Sequence, residues 1–442
     1  MPDLVLGHGP SGVRAAAALG GECLLLDPDV EAGGVRFPEL PEGLGHALGT
    51  QGGAGAIKAA YGAAPDLAPG ATGRRLVVDG ATVDLPMRRR GLAQVLPQDD
   101  AARILTEQAR IYARAHLRKV IGGGAEERTY QDWVVTRFGE TAYELLHEPY
   151  AARRWGDPGL LNVSVAWIHH GPADGQDRVA LGASPESGWR SLVARAGQRI
   201  GGVVLESLEV VDGRVARVLT DQGAHDVDGR LIYTGPLPAL GELLGDALDE
   251  GLRWDLARLG HRHRVQVALQ VEGQDRDLSA ELHVVRGDAP FFRLTAPRHL
   301  PGCSELSSTL IAHLSCQDGD GTWQATDEDL ARRVVSALPA LGLPSASAGG
   351  ARVQRYPAFD PAWVGPWHPV MVRVLLAMKA LGIELAGRAG AYQWVDPGRE
   401  LLHLAALQGA GAGDPRELVR TLLDPPVKPD VARLTMAQFV TG

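Results

Sequence analysis

Close to its start the chain reads Leu4-Val5-Leu6-Gly7-His8-Gly9-Pro10-Ser11-Gly12. An apolar run that stops at glycine predicts a short strand, and the alanine-rich residues 13–19 that follow predict a helix. A second apolar run, residues 22–26, then ends at an acid, Asp27. A strand, a glycine turn, a helix and a second strand in this order predict a βαβ unit and therefore an α/β fold.

The three glycines of this turn have the spacing that dinucleotide-binding turns use. Gly7 permits a tight turn, Gly9 lets a pyrophosphate approach the backbone, and Gly12 lets the helix pack close to the strand. The N-terminus of the helix that follows supplies free N–H groups and a partial positive charge for the phosphates, and Pro10 and Ser11 lie between the glycines of the turn. We therefore predict that these five residues bind a dinucleotide.

The acid after the second strand completes the pattern. Asp27 follows Gly7 by 20 residues, and we expect its carboxylate to accept a hydrogen bond from a ribose hydroxyl. A carboxylate here disfavours a 2′-phosphate, so NADP is the less favoured nucleotide. Since the chain has 56 glycines in 442 residues, the glycine spacing alone should occur by chance about once. The prediction therefore depends on the strands and helix around the glycines.

The continuation of the chain favours FAD over a nicotinamide nucleotide. A nicotinamide domain would continue as βαβαβ, whereas here the second strand runs into a loop-rich stretch that contains Gly34. The segments expected to return to the cofactor come much later, at residues 203–235, where we place a contact at Leu208, and at Gly387. This discontinuous layout resembles the glutathione-reductase-type FAD fold.

The order of these segments predicts two discontinuous domains. The first is an FAD-binding Rossmann domain, and the second is a mixed sheet-and-helix substrate domain with hairpins expected along the chain, one of them turned at Asp79-Gly80. We predict the FAD-binding domain at residues 1–75, 185–245 and 365–442, and the substrate-binding domain at residues 76–184 and 246–364.

Three stretches together carry a family resemblance: residues 4–12 with Gly33-Gly34, residues 139–156 and residues 387–396. They resemble the superfamily of flavin amine oxidases, protoporphyrinogen oxidase, phytoene desaturase and UDP-galactopyranose mutase. The mutase-like branch is the most similar locally. Its Tyr-x-x-x-x-Trp-Gly segment is similar to residues 150–156, and its Gly-Arg-x-x-x-Tyr-x-Tyr-x-Asp stretch is similar to residues 387–396.

The resemblance implies FAD contacts beyond the first turn. It places Gly387, Arg388 and Val395 against the pyrophosphate and the flavin carbonyl, and an arginine can pair bidentately with phosphate oxygens. It also implies contacts from the loop that contains Gly34 and Arg36. In that loop the family often has arginine or asparagine directly after the glycine pair, where this chain has valine.

The resemblance implies catalytic and substrate residues as well. Gly45-His46 is similar to the family's mobile loop beside the flavin. Arg178 lies in a segment similar to the one that carries a substrate-diphosphate arginine, and Arg264, or its neighbour Arg262, lies in a strand comparable to that of the second arginine. We expect His46, Arg178 and Arg264 to be catalytic. The predicted aromatic lining of the substrate pocket is Tyr150, Trp155, Trp189, Tyr356 and Trp394.

Two of these aromatic residues differ from the mutase pattern. Trp189 and Trp394 stand where the mutase has tyrosines that bind the sugar diphosphate. An indole N–H cannot replace a tyrosine hydroxyl directed at a phosphate. Three functions follow. The leading one is an FAD-dependent oxidoreductase that transfers a hydride from a small anionic or conjugated substrate to flavin N5. The alternatives are a redox-neutral mutase and a non-catalytic, FAD-bound partner protein.

Composition limits the other functions. The net charge of −9 disfavours nucleic acid as a partner, and no apolar run is long enough for a transmembrane helix. Three scattered cysteines favour a reducing, cytoplasmic location over a disulfide framework. The adjacent pair His169-His170 would point to opposite sides of a strand, so we predict no metal. The expected partner is a small-molecule substrate, and a homodimer is left open.

Overall fold

The computed structural model describes residues 2–7, 9–19, 22–30, 66–68, 74–85, 87, 89–121, 127–169, 178–180, 185–271, 281–297, 308–343, 346–394 and 400. Gly34, Arg36, His46 and Val395 lie outside the described residues. Arg178 is described by its backbone only, in a short strand. The predictions on these five residues therefore remain predictions.

Strands account for much of the described chain. They are β1 (Asp3–Leu6), β2 (Cys23–Asp27), β3 (Asp66–Ala68), β4 (Arg74–Val78), β5 (Ala81–Leu85), β6 (Arg178–Ala180), β7 (Gln198–Gly201), β8 (Leu205–Val211), β9 (Arg214–Thr220), β10 (Gly223–Asp226), β11 (Leu231–Tyr233), β12 (His261–Gln270), β13 (Glu281–Arg286), β14 (Arg293–Thr295), β15 (Thr309–Cys316), β16 (Arg352–Pro361) and β17 (Ile383–Leu385).

The helices lie between these strands. They are α1 (Pro10–Ala18), α2 (Arg89–Val95), α3 (Gln98–Ile121), α4 (Tyr130–Phe138), α5 (Glu140–Ala142), α6 (Glu148–Trp155), α7 (Ser164–His169), α8 (Pro185–Arg195), α9 (Leu237–Leu244), α10 (Glu250–Arg258), α11 (Gly321–Gln324), α12 (Asp327–Ala337), α13 (Trp367–Ala380) and α14 (Gly387–Gly390). A π-helical turn, Tyr143–His147, joins α5 to α6. No described helix is both long enough and apolar enough to cross a membrane.

A five-stranded sheet collects segments from distant parts of the chain. Its order is β17-β11-β1-β2-β7, and all four pairings are parallel. Leu4 on the central strand pairs with Leu231 on one side and with Leu24 on the other. Because parallel strands end at the same edge of a sheet, the glycine turn after β1 lies beside the segment that follows β17.

A seven-stranded mixed sheet forms the second large layer, in the order β16-β12-β15-β14-β13-β4-β5. Its β4–β5 hairpin turns at Asp79-Gly80, where both residues have positive φ, as the sequence predicts. The strands β8, β9 and β10 form a separate antiparallel sheet. The predicted fold class is confirmed: an α/β chain with a parallel Rossmann-type sheet and a mixed sheet-and-helix part.

Candidate functional site

The glycine turn after β1 has the geometry that its spacing predicts. A Cβ on Gly7 would lie 2.6 Å from Leu25 Cδ1, and a Cβ on Gly12 would lie 2.4 Å from the Cα of Gly7. These two glycines are therefore required where helix and strand touch. Gly9 differs, because it has a φ of 64° and a Cβ there would meet nothing within 4 Å. Its backbone consequently faces open space, as a ligand-binding position requires.

The first turn of helix α1 leaves its N–H groups available. Gly9 is the N-cap residue and provides no side-chain hydrogen bond, and Pro10 occupies the start of the helix. Helix α4, in contrast, is closed by a capping box in which Thr129 and Asp132 bond to each other's backbone. Four N–H groups at an α-helix start have no partner within the helix. An anion at the start of α1 would satisfy them.

The C-terminal glycine segment returns to this same turn. Gly387 has a φ of 76°, and a Cβ there would lie 2.7 Å from the Cβ of Ser11. A Cβ on Gly390 would lie 2.5 Å from the carbonyl oxygen of Tyr233, at the end of β11. Close backbone approach thus explains both glycines of helix α14. The predicted meeting of these two distant segments is present in the structure.

A cleft opens between these segments and strand β16. It holds about 600 Å³ of empty space, including its open mouth. Helix α1 contributes residues 9–11 and Arg14, β16 contributes residues 355–359, and α14 contributes Arg388 and Ala389. Asp29, after β2, and Glu400 complete the lining, so segments that are far apart in sequence form one site.

One buried ion pair at the cleft was not predicted. Arg14 Nη1 donates to Glu400 Oε2 at 2.9 Å, and the two side chains are 7% and 2% exposed. The pair connects helix α1 with residue 400, near the end of the described chain. An arginine within an alanine-rich helix was the available sequence signal, but its partner lies 386 positions away.

Asp27 already has protein partners. Its Oδ2 accepts a hydrogen bond from Arg199 Nε at 2.9 Å, and its Oδ1 accepts one from the backbone N–H of Asp29 at 3.1 Å. The residue is only 1% exposed. Arg199, on β7, was not predicted from the sequence. The ribose contact expected of Asp27 remains a prediction, and any such contact would share this carboxylate with Arg199.

A buried carboxylate joins two of the predicted arginines. Asp360 Oδ1 accepts a hydrogen bond from Arg388 Nη1 at 3.0 Å, and Asp360 Oδ2 accepts one from Arg264 Nη2. Asp360 is 0% exposed. Burial alone would raise the pKa of Asp360, but the two guanidinium groups outweigh it and hold the pKa below its usual value. Asp360, which sequence reasoning missed, is therefore an ionised carboxylate buried next to the cleft residues Phe359 and Arg388.

An aromatic ring lies against these arginines. The guanidinium carbons of Arg264 and Arg388 lie 4.7 and 4.5 Å from the ring centroid of Phe359. Such distances are typical of cation–π contacts. Tyr356, predicted as a pocket residue, lines the cleft and lies 5.3 Å from Phe359, centroid to centroid. Strand β16 therefore supplies both the buried acid and the aromatic face of this wall.

Three of the predicted aromatic residues meet one another. The ring centroids of Tyr150 and Trp155 lie 6.1 Å apart, and those of Trp155 and Trp394 lie 6.2 Å apart. The Arg154 guanidinium lies 4.9 Å from the Trp155 ring. Trp394 Nε1 donates to the carbonyl oxygen of Pro361 at 2.9 Å. Its N–H is thus directed at the backbone, as expected of an indole in place of the mutase tyrosine.

Tyr150 is held by a histidine. Its hydroxyl lies 2.9 Å from His283 Nδ1, and Glu281 Oε2 lies 3.4 Å from His283 Nε2. Burial raises the pKa of Tyr150 and lowers the pKa of His283. Both groups are therefore neutral at pH 7, a state that suits hydrogen bonding to a ligand better than nucleophilic attack.

Trp189 lies in a different apolar cluster from Tyr150 and Trp155. It packs on helix α8 against an apolar cluster that includes Val13 and Leu192. The helix containing Trp189 packs beside α1 on the parallel sheet, and the part of Trp189 in the substrate pocket remains a prediction.

Leu208 packs inside the protein. Its side chain is buried in the main apolar cluster, and on the antiparallel sheet it pairs with Val218. Its contact with the cofactor remains a prediction.

The comparisons with known proteins concern the fold. No protein-family model and no curated protein matches the chain. Among solved structures, a reduced UDP-galactopyranose mutase matches with a TM-score of 0.70 and 15% identity, over 96% of this chain and 98% of that one. A protein provisionally assigned as a protoporphyrinogen oxidase, from Exiguobacterium sp. 255-15, matches with a TM-score of 0.68 and 17% identity, over 92% of this chain and 98% of that one.

A third structure, an oxidoreductase from Methanosarcina mazei, matches with a TM-score of 0.60 and 13% identity, over 92% of this chain and 100% of that one. All three matches extend over nearly the whole length of both chains. The resemblance predicted from the sequence is therefore confirmed at the level of the fold, and the chain has the α/β architecture that these structures share.

Proposed function

We propose that the chain is an FAD-dependent oxidoreductase, which transfers a hydride from a small anionic or conjugated substrate to flavin N5. One observation carries the proposal: the uncapped first turn of α1 and Arg388 line a single cleft, although they come from opposite ends of the chain. A helix N-terminus and an arginine are both suited to phosphate oxygens. The cleft therefore fits a nucleotide that carries a pyrophosphate.

On the α1 side of the cleft the proposed cofactor contacts come from the backbone, and on the α14 side they come from the side chain of Arg388. Gly9, Pro10 and Ser11 present N–H groups or open backbone to the pyrophosphate, and Gly387 allows Arg388 to approach it. FAD would supply the hydride acceptor. Asp27, Leu208, Gly34, Arg36 and Val395 are retained as proposed contacts on the sequence argument.

The proposed substrate site lies near Asp360. Aromatic rings and arginine guanidinium groups contact one another there, as Trp155 does with Arg154 and Phe359 with Arg264. Arg264 is the proposed anchor for a carboxylate or phosphate. The rings of Tyr150, Trp155 and Trp394 would contact a flat or conjugated substrate. Hydride transfer to a flavin needs no protein nucleophile, so these side chains would bind and orient the substrate and exclude water. His46 and Arg178 are retained as proposed catalytic residues on the resemblance.

Trp394 counts against the mutase alternative. The mutase-like stretch has a tyrosine at this position, whereas the Trp394 N–H is bonded to Pro361. A sugar diphosphate would lose that hydroxyl contact here. We therefore rank the oxidoreductase first and treat conversion of a nucleotide-bound sugar by the reduced protein as an outcome to be tested.

The test is to purify the chain, record its absorbance and chromatograph the cofactor released by heat. A yellow protein that releases FAD supports the proposal, and a colourless protein that binds NAD would overturn it. Anaerobic addition of small anionic substrates then separates the three functions. Bleaching of the flavin indicates an oxidoreductase. Sugar isomerisation only after dithionite indicates a mutase, and a bound flavin that no substrate reduces indicates a partner protein.

We also propose the two-domain division predicted from the sequence. The strands of the parallel sheet all lie in residues 1–75, 185–245 and 365–442, and most strands of the mixed sheet lie in residues 76–184 and 246–364. A cytoplasmic location is proposed on the cysteines, since Cys23 and Cys316 are free thiols buried in the structure.

A further inference from the structure

Strands β12 and β16 lose their regular register beside the cleft. Arg262 pairs with Asp360, whereas Arg264 pairs with Tyr356. A step of two residues along β12 therefore corresponds to a step of four along β16. The extra residues form a bulge at 357–359, which lines the cleft. Bulges beside active sites commonly redirect a side chain.

The bulge contains a backbone conformation that needs support. Ala358 has a φ of 48°, in the left-handed region that favours glycine, and it is buried. A Cβ in this region collides with neighbouring backbone atoms, so such a conformation persists only where the surroundings hold it. Something in the fold must therefore compensate for the strain at Ala358.

His263 supplies that support. Its Nδ1 accepts a hydrogen bond from the backbone N–H of Ala358 at 2.9 Å, and its Nε2 lies 2.9 Å from Asp318 Oδ1. Because Nδ1 is an acceptor here, the ring proton is on Nε2 and is donated to Asp318. The ring also stacks on Trp323, with centroids 4.2 Å apart. Three contacts thus fix the orientation of the imidazole.

The bulge determines where Phe359 and Asp360 lie. The ring of Phe359 contacts the guanidinium groups of Arg264 and Arg388, and Asp360 bonds to both. A regular strand would have two residues fewer between Tyr356 and Asp360 and would move this pair along the sheet. The bond from the Ala358 N–H therefore links His263 to the backbone of the segment that carries Phe359 and Asp360.

We propose that His263 is a positioning residue of the cleft: by binding the Ala358 N–H it holds the 357–359 bulge, and with it Phe359, against the Arg388 side of the nucleotide site. This inference rests on the proposed function, because it takes the ligand to be the flavin nucleotide. It predicts that loss of the Nδ1 acceptor weakens nucleotide binding even where the chain remains folded.

The test uses full-length variants stripped of flavin and titrated with FAD. His263→Phe keeps a ring against Trp323 but has no acceptor, and we expect its FAD dissociation constant to rise about tenfold. His263→Asn places an amide oxygen at the position of Nδ1 and should bind within about threefold of wild type. His368→Phe is the matched control, because it makes the same substitution at an exposed histidine whose ring lies 5.6 Å from that of Trp367, and it should also stay within about threefold of wild type.

A second change separates positioning from a general loss of structure. Ala358→Gly removes the cost of the left-handed conformation, so adding it to His263→Phe should restore most of the FAD affinity. Folded His263→Phe with wild-type affinity would overturn the inference. So would a folded His263→Asn that loses tenfold, a result that can be obtained even if the Phe variant does not fold. A wild-type chain that binds no FAD would instead overturn the proposed function.

Discussion

The two walls of the cleft are built by different means. On one side the turn from Gly7 to Gly12 is backbone packed against backbone, and helix α1 begins there without a side-chain cap. On the other side Phe359 and Arg388 line the cleft, and the buried Asp360 next to them bonds to both Arg264 and Arg388. The first wall should therefore be disrupted by any bulky or negative group that is added, and the second by a charge that is removed.

The largest effect is expected from adding a charged side chain to the backbone wall. Gly9→Glu would place a carboxylate in the open space over Gly9, where it would collide with and repel a pyrophosphate. We expect the purified variant to retain no flavin while its circular dichroism stays that of wild type.

Gly9→Ala is the control for this change. Its Cβ meets no neighbouring atom, and at a φ of 64° and a ψ of −161° it carries the same backbone strain as Gly9→Glu, about 1–3 kcal/mol, without the charge. It should keep most of the bound flavin. A folded Gly9→Glu variant that retains as much flavin as wild type would show that the turn does not bind the phosphates.

The next effect is expected from removing the buried charge of the opposite wall. Asp360→Asn leaves Arg264 and Arg388 facing a neutral amide in a buried site, and breaking such a pair costs about 3–5 kcal/mol. Urea unfolding should show this loss. Asp226→Asn breaks an exposed pair with Arg217 and is the control, with an expected loss of at most about 1 kcal/mol.

The same carboxylate predicts a pH dependence. Because the pKa of Asp360 is lowered in the folded protein, its contribution to stability is complete above the ordinary carboxyl pKa of about 4 and is lost as the pH falls through the lowered value. The stability difference between wild type and Asp360→Asn should therefore shrink below about pH 4. A difference that stays constant down to pH 2 would mean that Asp360 does not titrate there.

The backbone of the glycine turn can be predicted from the sequence, whereas the side-chain pairs around Asp360 cannot. Gly7, Gly9 and Gly12 lie within one turn, so their spacing carries a local geometric meaning, and the close contacts at Gly7 and Gly12 agree with it. Asp360 meets Arg264 only through pairing of strands 96 positions apart. The bulge at Ala358 shifts that pairing, and no local pattern encodes the shift.

The aromatic residues show the limit of an argument from resemblance. Tyr150, Trp155 and Trp394 were predicted together and do meet, because each lies in a segment that is similar to the family over several positions. Trp189 packs in a different apolar cluster, on a helix beside α1, and its place in the pocket stays a prediction. Long-range partners such as Arg199, for Asp27, have no sequence signal at either residue.

A smaller effect is expected from removing the side chain of Arg388, which lines the cleft opposite the glycine turn. Arg388→Ala removes a charged donor that lies in the cleft, and hydrogen bonds to charged groups contribute about 1.5–3 kcal/mol. FAD affinity should fall by roughly ten- to a hundredfold. Arg373→Ala is the matched control, since Arg373 also pairs with an aspartate, Asp255, but lies on helix α13. An equal loss of FAD affinity in both variants would mean that stability alone explains the effect.

The smallest effect is expected from removing the indole N–H of Trp394, which donates to the carbonyl of Pro361. Trp394→Phe keeps a ring beside Trp155 but leaves the carbonyl of Pro361 without its indole donor, so unfolding should become easier by about 1 kcal/mol. Trp254→Phe, at a side chain that is 65% exposed, should change stability by less than about 0.5 kcal/mol. If Trp394→Phe were equally neutral, the indole N–H would be free to turn toward a ligand, and the argument against a bound diphosphate would lose its main support.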